Sequence, residues 1–178
     1  MTAIPQAKPA NGQIVIRPTT APRKTGDFLA EAMTKLNPTF SIAQASALLG
    51  ICPATTRRHS DTQQIGHLRT TGDQRTFTLA DIVARLRAAY RPASSWPTDI
   101  EYFLTVWLPS PIVTVGMATA HLEVCHATLR RWTDRSTNPL PHLRYSLARW
   151  EDDELVPSTP QRLFKLCDLD AWLLAHPF

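Results

Sequence analysis

The chain has 178 residues, 43% of them apolar, a net charge of +4 and a pI near 9.3. That is enough apolar material for one ordinary domain or two small ones, and the basic bias favours an anionic partner. Three cysteines without paired spacing, and no run near the ~18 apolar residues of a membrane span, exclude a disulfide scaffold and a membrane-spanning chain.

Residues 1–39 are rich in Pro, Thr, Ala and Lys/Arg, and read as a flexible basic arm. Arg17, Arg23 and Lys24 are its candidate phosphate contacts, and Asp27–Leu36 has the apolar spacing of a short helix. The segment MTAIPQAKPANGQ lacks the apolar core of a signal peptide, so a cytoplasmic, nucleoid-associated setting is expected. Net charge falls along the chain: +3 over residues 1–40, +4 over 41–91, −2 over 92–111 and −1 over 112–178.

Residues 40–90 read as a first module. Ser41 precedes a helix with Ile42, Ala45 and Leu49 on one face, and Gly50 suits a left-handed C-cap. A second short helix starts near Pro53. Leu68–Thr78 reads as a hairpin turning at Thr71-Gly72-Asp73, and Leu79–Ala89 as a closing helix with Ile82, Val83, Leu86 and Tyr90 in its stripe. Residues 91–111 form a connector punctuated by Pro92, Pro97, Pro109 and Pro111. It holds a capped helix over Thr98–Trp107, whose Tyr102–Trp107 cluster suits interdomain core or a protein contact. Residues 112–178 read as a second module.

An internal repeat supports that division. Displaced by 73 positions, Ser41–His59 (SIAQASALLGICPATTRRH) falls on Thr114–Trp132 (TVGMATAHLEVCHATLRRW), with Ala45, Ala47, Leu49, Cys52, Ala54, Thr55, Arg57 and Arg58 meeting identical residues. At an offset of 87, Arg75–Leu86 falls on Arg162–Leu173, both reading R-x-F-x-L-x-D-[IL]-x-A-x-L. The second copy therefore carries 14 extra residues between its blocks, among them Glu151-Asp-Asp-Glu154. Glu123 stands where the first copy has Gly50, so that turn is expected to be strained or shaped differently.

The first module resembles the MerR-type winged helix-turn-helix, through SIAQASALLGICPATTRR, RTTGDQRTF and DIVARL. The second is similar to the excisionase-type version of that superfamily, through TVGMATAHLEVCHATLRRW and RLFKLCDLDAWL. The resemblance implies a mainly α fold with small β wings (α+β), two tandem modules and binding of double-stranded DNA. Two departures from the superfamily are Thr56, where Leu129 keeps the usual buried aliphatic, and His59, where Trp132 keeps an aromatic. The first module is therefore expected to pack less firmly.

A recognition helix in the major groove would use Thr55, Arg57 and Arg58 in the first module, with His59 toward the backbone, and Thr128, Arg130 and Arg131 in the second. The arginine fork suits a guanine edge or a phosphate. The first wing offers Arg69, Thr70, Thr71 and Arg75; the second offers Arg144, Arg149 and Arg162. Arg75 and Arg162 have an alternative role, tying each wing to its closing helix through Asp81 and Asp168. Cys52 and Cys125 are expected in the core, and no metal or cofactor is expected. With no nucleophile motif or phosphate loop, the chain reads as a non-enzyme. A bacterial transcriptional regulator is the leading expectation. The alternatives are an architectural factor of mobile DNA, acting in recombination directionality, plasmid maintenance or phage packaging, and a protein adaptor in which the second module, through Glu151–Glu154, binds protein.

Overall fold

The computed structural model describes residues 38–151 and 154–176, with side chains outside 146–160. The expected basic arm with Arg17, Arg23 and Lys24, the Asp27–Leu36 helix, Asp152, Asp153 and the side chain of Arg149 lie outside these described residues. The fold is mixed α+β with two small antiparallel sheets.

The first copy runs β1 (Thr39–Ser41), α1 (Ile42–Leu49), α2 (Pro53–Asp61), β2 (Leu68–Arg69), β3 (Arg75–Thr78) and α3 (Leu79–Ala89). Ser41 and Gln44 form a capping box at the start of α1, and Gly50 ends it at φ 68°. Thr78 and Asp81 form a second capping box on α3. Each box satisfies backbone donors that an isolated helix end leaves open. The hairpin turns as expected, with the positive φ on Asp73 rather than Gly72.

The second copy repeats this order: β5 (Ile112–Thr114), α5 (Val115–His121), α6 (His126–Thr133), β6 (His142–Glu151), β7 (Glu154–Lys165) and α7 (Leu166–Ala175). The repeat extends to strand register. Thr39, Phe40 and Ser41 face Thr78, Phe77 and Thr76, and their counterparts Ile112, Val113 and Thr114 face Lys165, Phe164 and Leu163. Leu68 and Arg69 face Thr76 and Arg75, as Leu143 and Arg144 face Leu163 and Arg162. The 14 extra residues lengthen β6 and β7 into an arm ending where Glu151 faces Glu154. Glu123 has a left-handed φ of 53°, near that of Gly50, but the helix before it is one residue shorter and is capped at Leu122, and a non-glycine residue at this φ is strained, as the sequence suggests. Glu123 is exposed, whereas Gly50 is wedged at the junction: a Cβ there would lie 2.4 Å from Cγ2 of Ile112.

Between the copies, β4 (Tyr90–Arg91) leads into a 3-10 turn (Ala93–Ser95) and then α4 (Ile100–Tyr102), which continues as a π-helical turn over Phe103–Trp107. Asp99, not Thr98, caps this helix by accepting from the Tyr102 amide at 3.0 Å. The connector is not a free tether. Strand β4 joins the sheet of the second copy through β6, giving the order β4-β6-β7-β5.

Adjacent residues of a strand point to opposite faces. On β7, Leu163 enters one core and Phe164 the other. The first core holds Phe40, Leu49, Phe77 and Leu86 of the first copy, Phe103, Trp107 and Leu108 of the connector, and Leu143, Tyr145 and Leu163 of the second copy. The second holds Val113, Leu122, Leu129, Trp132, Phe164 and Trp172. Of the expected Tyr102–Trp107 cluster, Phe103 and Trp107 are thus interdomain core, while Tyr102 and Val106 are exposed. Among the described residues no helix is long and apolar enough to cross a membrane.

Because Leu143 fills the first copy's core, Leu143→Ala should lower global stability by about 2–5 kcal/mol. Amide exchange should accelerate in α1 and α3 as well as in β6. Acceleration confined to residues 112–176 would show that the copies fold separately.

Candidate functional site

The same cleft occurs in both copies, between the start of the first helix, the second helix and the hairpin. In the first copy it is about 500 Å³, lined by Ser41, Ile42, Ala43, Arg57, Arg69, Gln74 and Arg75, together with Asp73. In the second it is about 740 Å³, and its lining includes Thr114, Val115, Gly116, Arg130, Arg144, Gln161 and Arg162. Each of these seven occupies the register position of its counterpart. Three arginines therefore face each cleft from the same places.

The rear arginine of each cleft is held. Arg75 pairs with Asp61 at the end of α2 and donates to the Arg57 carbonyl at 3.2 Å. Arg162 pairs with Asp134, 2.8 Å away, and donates to the Thr133 hydroxyl. Asp61 and Asp134 are themselves a repeat pair, so one clasp joins hairpin to second helix in both copies. This corrects the expected partners. Asp81 caps its own helix, and Asp168 accepts from the Tyr90 hydroxyl and the Trp107 indole. Extending the first repeat block by two residues beyond His59/Trp132 would have revealed the acids.

The front arginines are more open. Arg57, Arg130, Arg131 and Arg144 are exposed. The exposed Arg69 pairs with Asp73 across the hairpin turn, and Arg130 lies 3.6 Å from Asp134. The Thr70 hydroxyl accepts from the Gln74 amide and shapes the turn, while Thr71 is exposed at its tip. Arg58 is half-buried, with its Nε enclosed, and so differs from its exposed counterpart Arg131.

The expected position of His59 is corrected. His59 is 1% exposed, too enclosed to reach a phosphate. Its ring lies 3.4 Å from the Arg85 guanidinium and packs against Tyr145. The aligned Trp132, also buried, was the cue that this is a core position. Thr56 takes the buried position that Leu129 takes in the second copy. It is fully buried and bonded to the Ser46 hydroxyl at 2.7 Å. Each hydroxyl also reaches the carbonyl one turn back on its own helix, Ser46 to Ile42 at 2.6 Å and Thr56 to Cys52 at 3.3 Å.

Cys52 and Cys125 are exposed rather than buried, each at the N-cap of the second helix. Their thiols meet the Thr55 and Thr128 hydroxyls at 3.1 and 3.4 Å. Those hydrogen bonds hold both thiols below the usual cysteine range. Thr55 and Thr128 thus face the helix start rather than pointing freely outward. The exposed N-terminal turns of α2 and α6 and the arginines behind them form one polar, cationic face per copy, suited to binding an anionic groove or backbone.

Comparison with protein-family models, with curated proteins and with solved structures gives no match to this chain.

Burial, and then the guanidinium charges of Arg85 and Arg58, lower the pKa of His59 to about 4. An unfolded histidine titrates near 6.5, so the unfolded chain takes up this proton first. Stability should be unaffected by His59 above pH 6.5 and should fall as pH drops toward 4, by on the order of 3 kcal/mol in total. An NMR titration of the His59 ring should give a midpoint near 4. A midpoint near 6.5 would contradict the enclosed, cation-flanked environment.

Proposed function

We propose that the chain binds double-stranded DNA sequence-specifically through two tandem winged helix-turn-helix units and serves as a bacterial transcriptional regulator. The observation that carries this reading is the duplicated cleft, with Arg57, Arg69 and Arg75 in one copy and Arg130, Arg144 and Arg162 in the other. A short helix with an exposed N-terminal turn fits the major groove, which is about 12 Å wide. Arg57 and Arg130 are the base-edge candidates, since they are exposed and line the clefts. Arg69 and Arg144, at equivalent positions on the hairpins, would reach the flanking phosphates. Arg75 and Arg162 are positioning residues that fix each hairpin against its helix.

The first copy, at +4 over residues 41–91, would contribute more affinity than the second, at −1 over residues 112–178. The hairpin arm ending at Glu151 and Glu154 favours a second role for that element alone. Acids at its tip repel phosphate, and a protein contact suits them better.

The test is DNA binding by fluorescence anisotropy across a salt series, with operator-like sequences selected from a random pool. The full chain should select a defined sequence. Arg57→Ala and Arg130→Ala should each weaken binding about tenfold or more and relax preference at a distinct position. Each phosphate contact removed, as in Arg69→Ala, should flatten the log–log salt slope by about one unit. Absence of double-stranded DNA binding at about 50 mM salt, or affinity unchanged in both recognition-helix variants, would overturn the reading.

A further inference from the structure

At the junction of the two copies lies a cavity of about 470 Å³, away from both clefts. Aromatic residues dominate its wall: Tyr90, Trp96, Tyr102, Trp107 and Trp172, with Asp168 among them. Among the described residues its lining holds two carboxylates, Asp99 and Asp168, and no Lys, Arg or His. Asp99 is occupied as the cap of α4.

Asp168 departs from the repeat. Its counterpart Asp81 completes a capping box, whereas α7 starts at Lys165 with no side-chain cap. The first amides of α7 are met by the connector instead, with the Cys167 N–H donating to the Ser110 hydroxyl at 3.0 Å, and the Asp168 carboxylate lies half-buried in the junction. That carboxylate accepts from the Tyr90 hydroxyl (2.8 Å) and from the Trp107 indole (3.2 and 3.3 Å). Burial pushes its pKa up, against the hydrogen bonds from Tyr90 and Trp107 and the charge of Lys165, and among the described residues no cation forms a salt bridge with it. The nearby Lys165 ammonium lies over the Trp107 ring, 4.7 Å from its centroid, and gives its hydrogen bonds to the Leu108 and Ser110 carbonyls. A carboxylate accepts about four hydrogen bonds, so capacity remains on the oxygen that only the indole approaches.

Trp172 already has Arg135 5.9 Å from its ring centroid and His176 stacked on it at 3.9 Å. Trp96 and Tyr102 carry no such cation; Trp96 packs edgewise on Tyr90 and Trp107. Aromatic walls attract a cation through their ring quadrupoles, and a buried carboxylate adds a full charge to that attraction. A neutral apolar ligand would leave the carboxylate desolvated, and an anion would be repelled by it. The volume falls within the range of small-molecule sites.

We propose that this cavity is a binding site for a small organic cation of the substituted-ammonium class, with Asp168 as counter-ion and Trp96 and Tyr102 as the aromatic walls. The site does not depend on the DNA-binding reading. Its elements come from α3–β4, the connector and α7, so an occupant would bridge the two copies.

The probe is choline, against its uncharged isostere 3,3-dimethylbutan-1-ol, titrated into the full chain and followed by tryptophan fluorescence and by indole NMR signals. Choline should bind saturably and at least about tenfold more tightly than the alcohol. Asp168→Asn keeps an acceptor for Tyr90 and Trp107 but removes the charge, and should weaken choline at least tenfold. Trp96→Ala should weaken it without altering Asp168. Equal affinity for choline and the alcohol, no saturation below about 100 mM, or a folded Asp168→Asn chain that binds choline normally would each overturn the proposal. Should Asp168→Asn fail to fold, the isostere comparison on the unaltered chain decides.

Discussion

The fold depends on how the two copies are held together: one core and one sheet take residues from both, and beside them the Asp168 carboxylate receives the Tyr90 hydroxyl and the Trp107 indole. Those three residues come from the second copy, the first copy and the connector. Around them the junction is closed by further cross-copy contacts. The Tyr145 hydroxyl, fully buried, donates to the Leu49 carbonyl at 2.7 Å and so satisfies the end of α1 from the other copy. Lys165 holds the connector through the Leu108 and Ser110 carbonyls, and burial lowers its pKa to about 8. Small domains bury a modest fraction of their surface, and each copy has fewer than 70 residues. Sharing one core and one sheet is how this chain gains enough burial.

That constraint explains where the two copies differ. Of the residues lining the clefts, Arg57 and Arg130, Gln74 and Gln161, and Arg75 and Arg162 are retained, as are the clasp acids Asp61 and Asp134. Positions facing the other copy differ in residue or in role. Gly50 meets Ile112, whereas Glu123 meets solvent. Thr78 and Asp81 cap a helix, whereas Lys165 and Asp168 bind the connector. A duplicated unit packed on its twin without two-fold symmetry has to change there. The retained clefts are thereby fixed relative to one another by β-pairing and core packing rather than by a flexible linker.

Much of the local structure was legible in the sequence because it rests on local chemistry. Ser41, Gly50, Pro53 and Thr78 announce the caps and helix starts at which they are found. The repeat paired Arg57 with Arg130 and Arg75 with Arg162, whereas the match of Arg69 with Arg144, at a third offset, shows only in the strand register. What was not legible was tertiary. His59 looks like a surface residue beside two arginines, and only the aligned Trp132 hints at burial. Arg75 has two acids within six residues, yet its partner is Asp61, fourteen residues back, brought near by the return of the hairpin. The π-helical turn over Phe103–Trp107 and the pairing of β4 with β6 leave no mark in periodicity, since two-residue strands are too short to show one.

The proposed function requires one chain to present two unlike DNA-reading faces, held relative to one another by the shared core and sheet. Hydroxyl-radical footprinting of the monomeric chain on its selected site measures this most directly, using the intact site and variants with ~5 base pairs, about half a helical turn, inserted at its centre. The account predicts two protected half-sites of different sequence, and an insertion that abolishes one of them with a loss of affinity, because a fixed junction cannot follow the rotated groove. Protection of only one half-site on the intact DNA, or equal protection of both after the insertion, would contradict it.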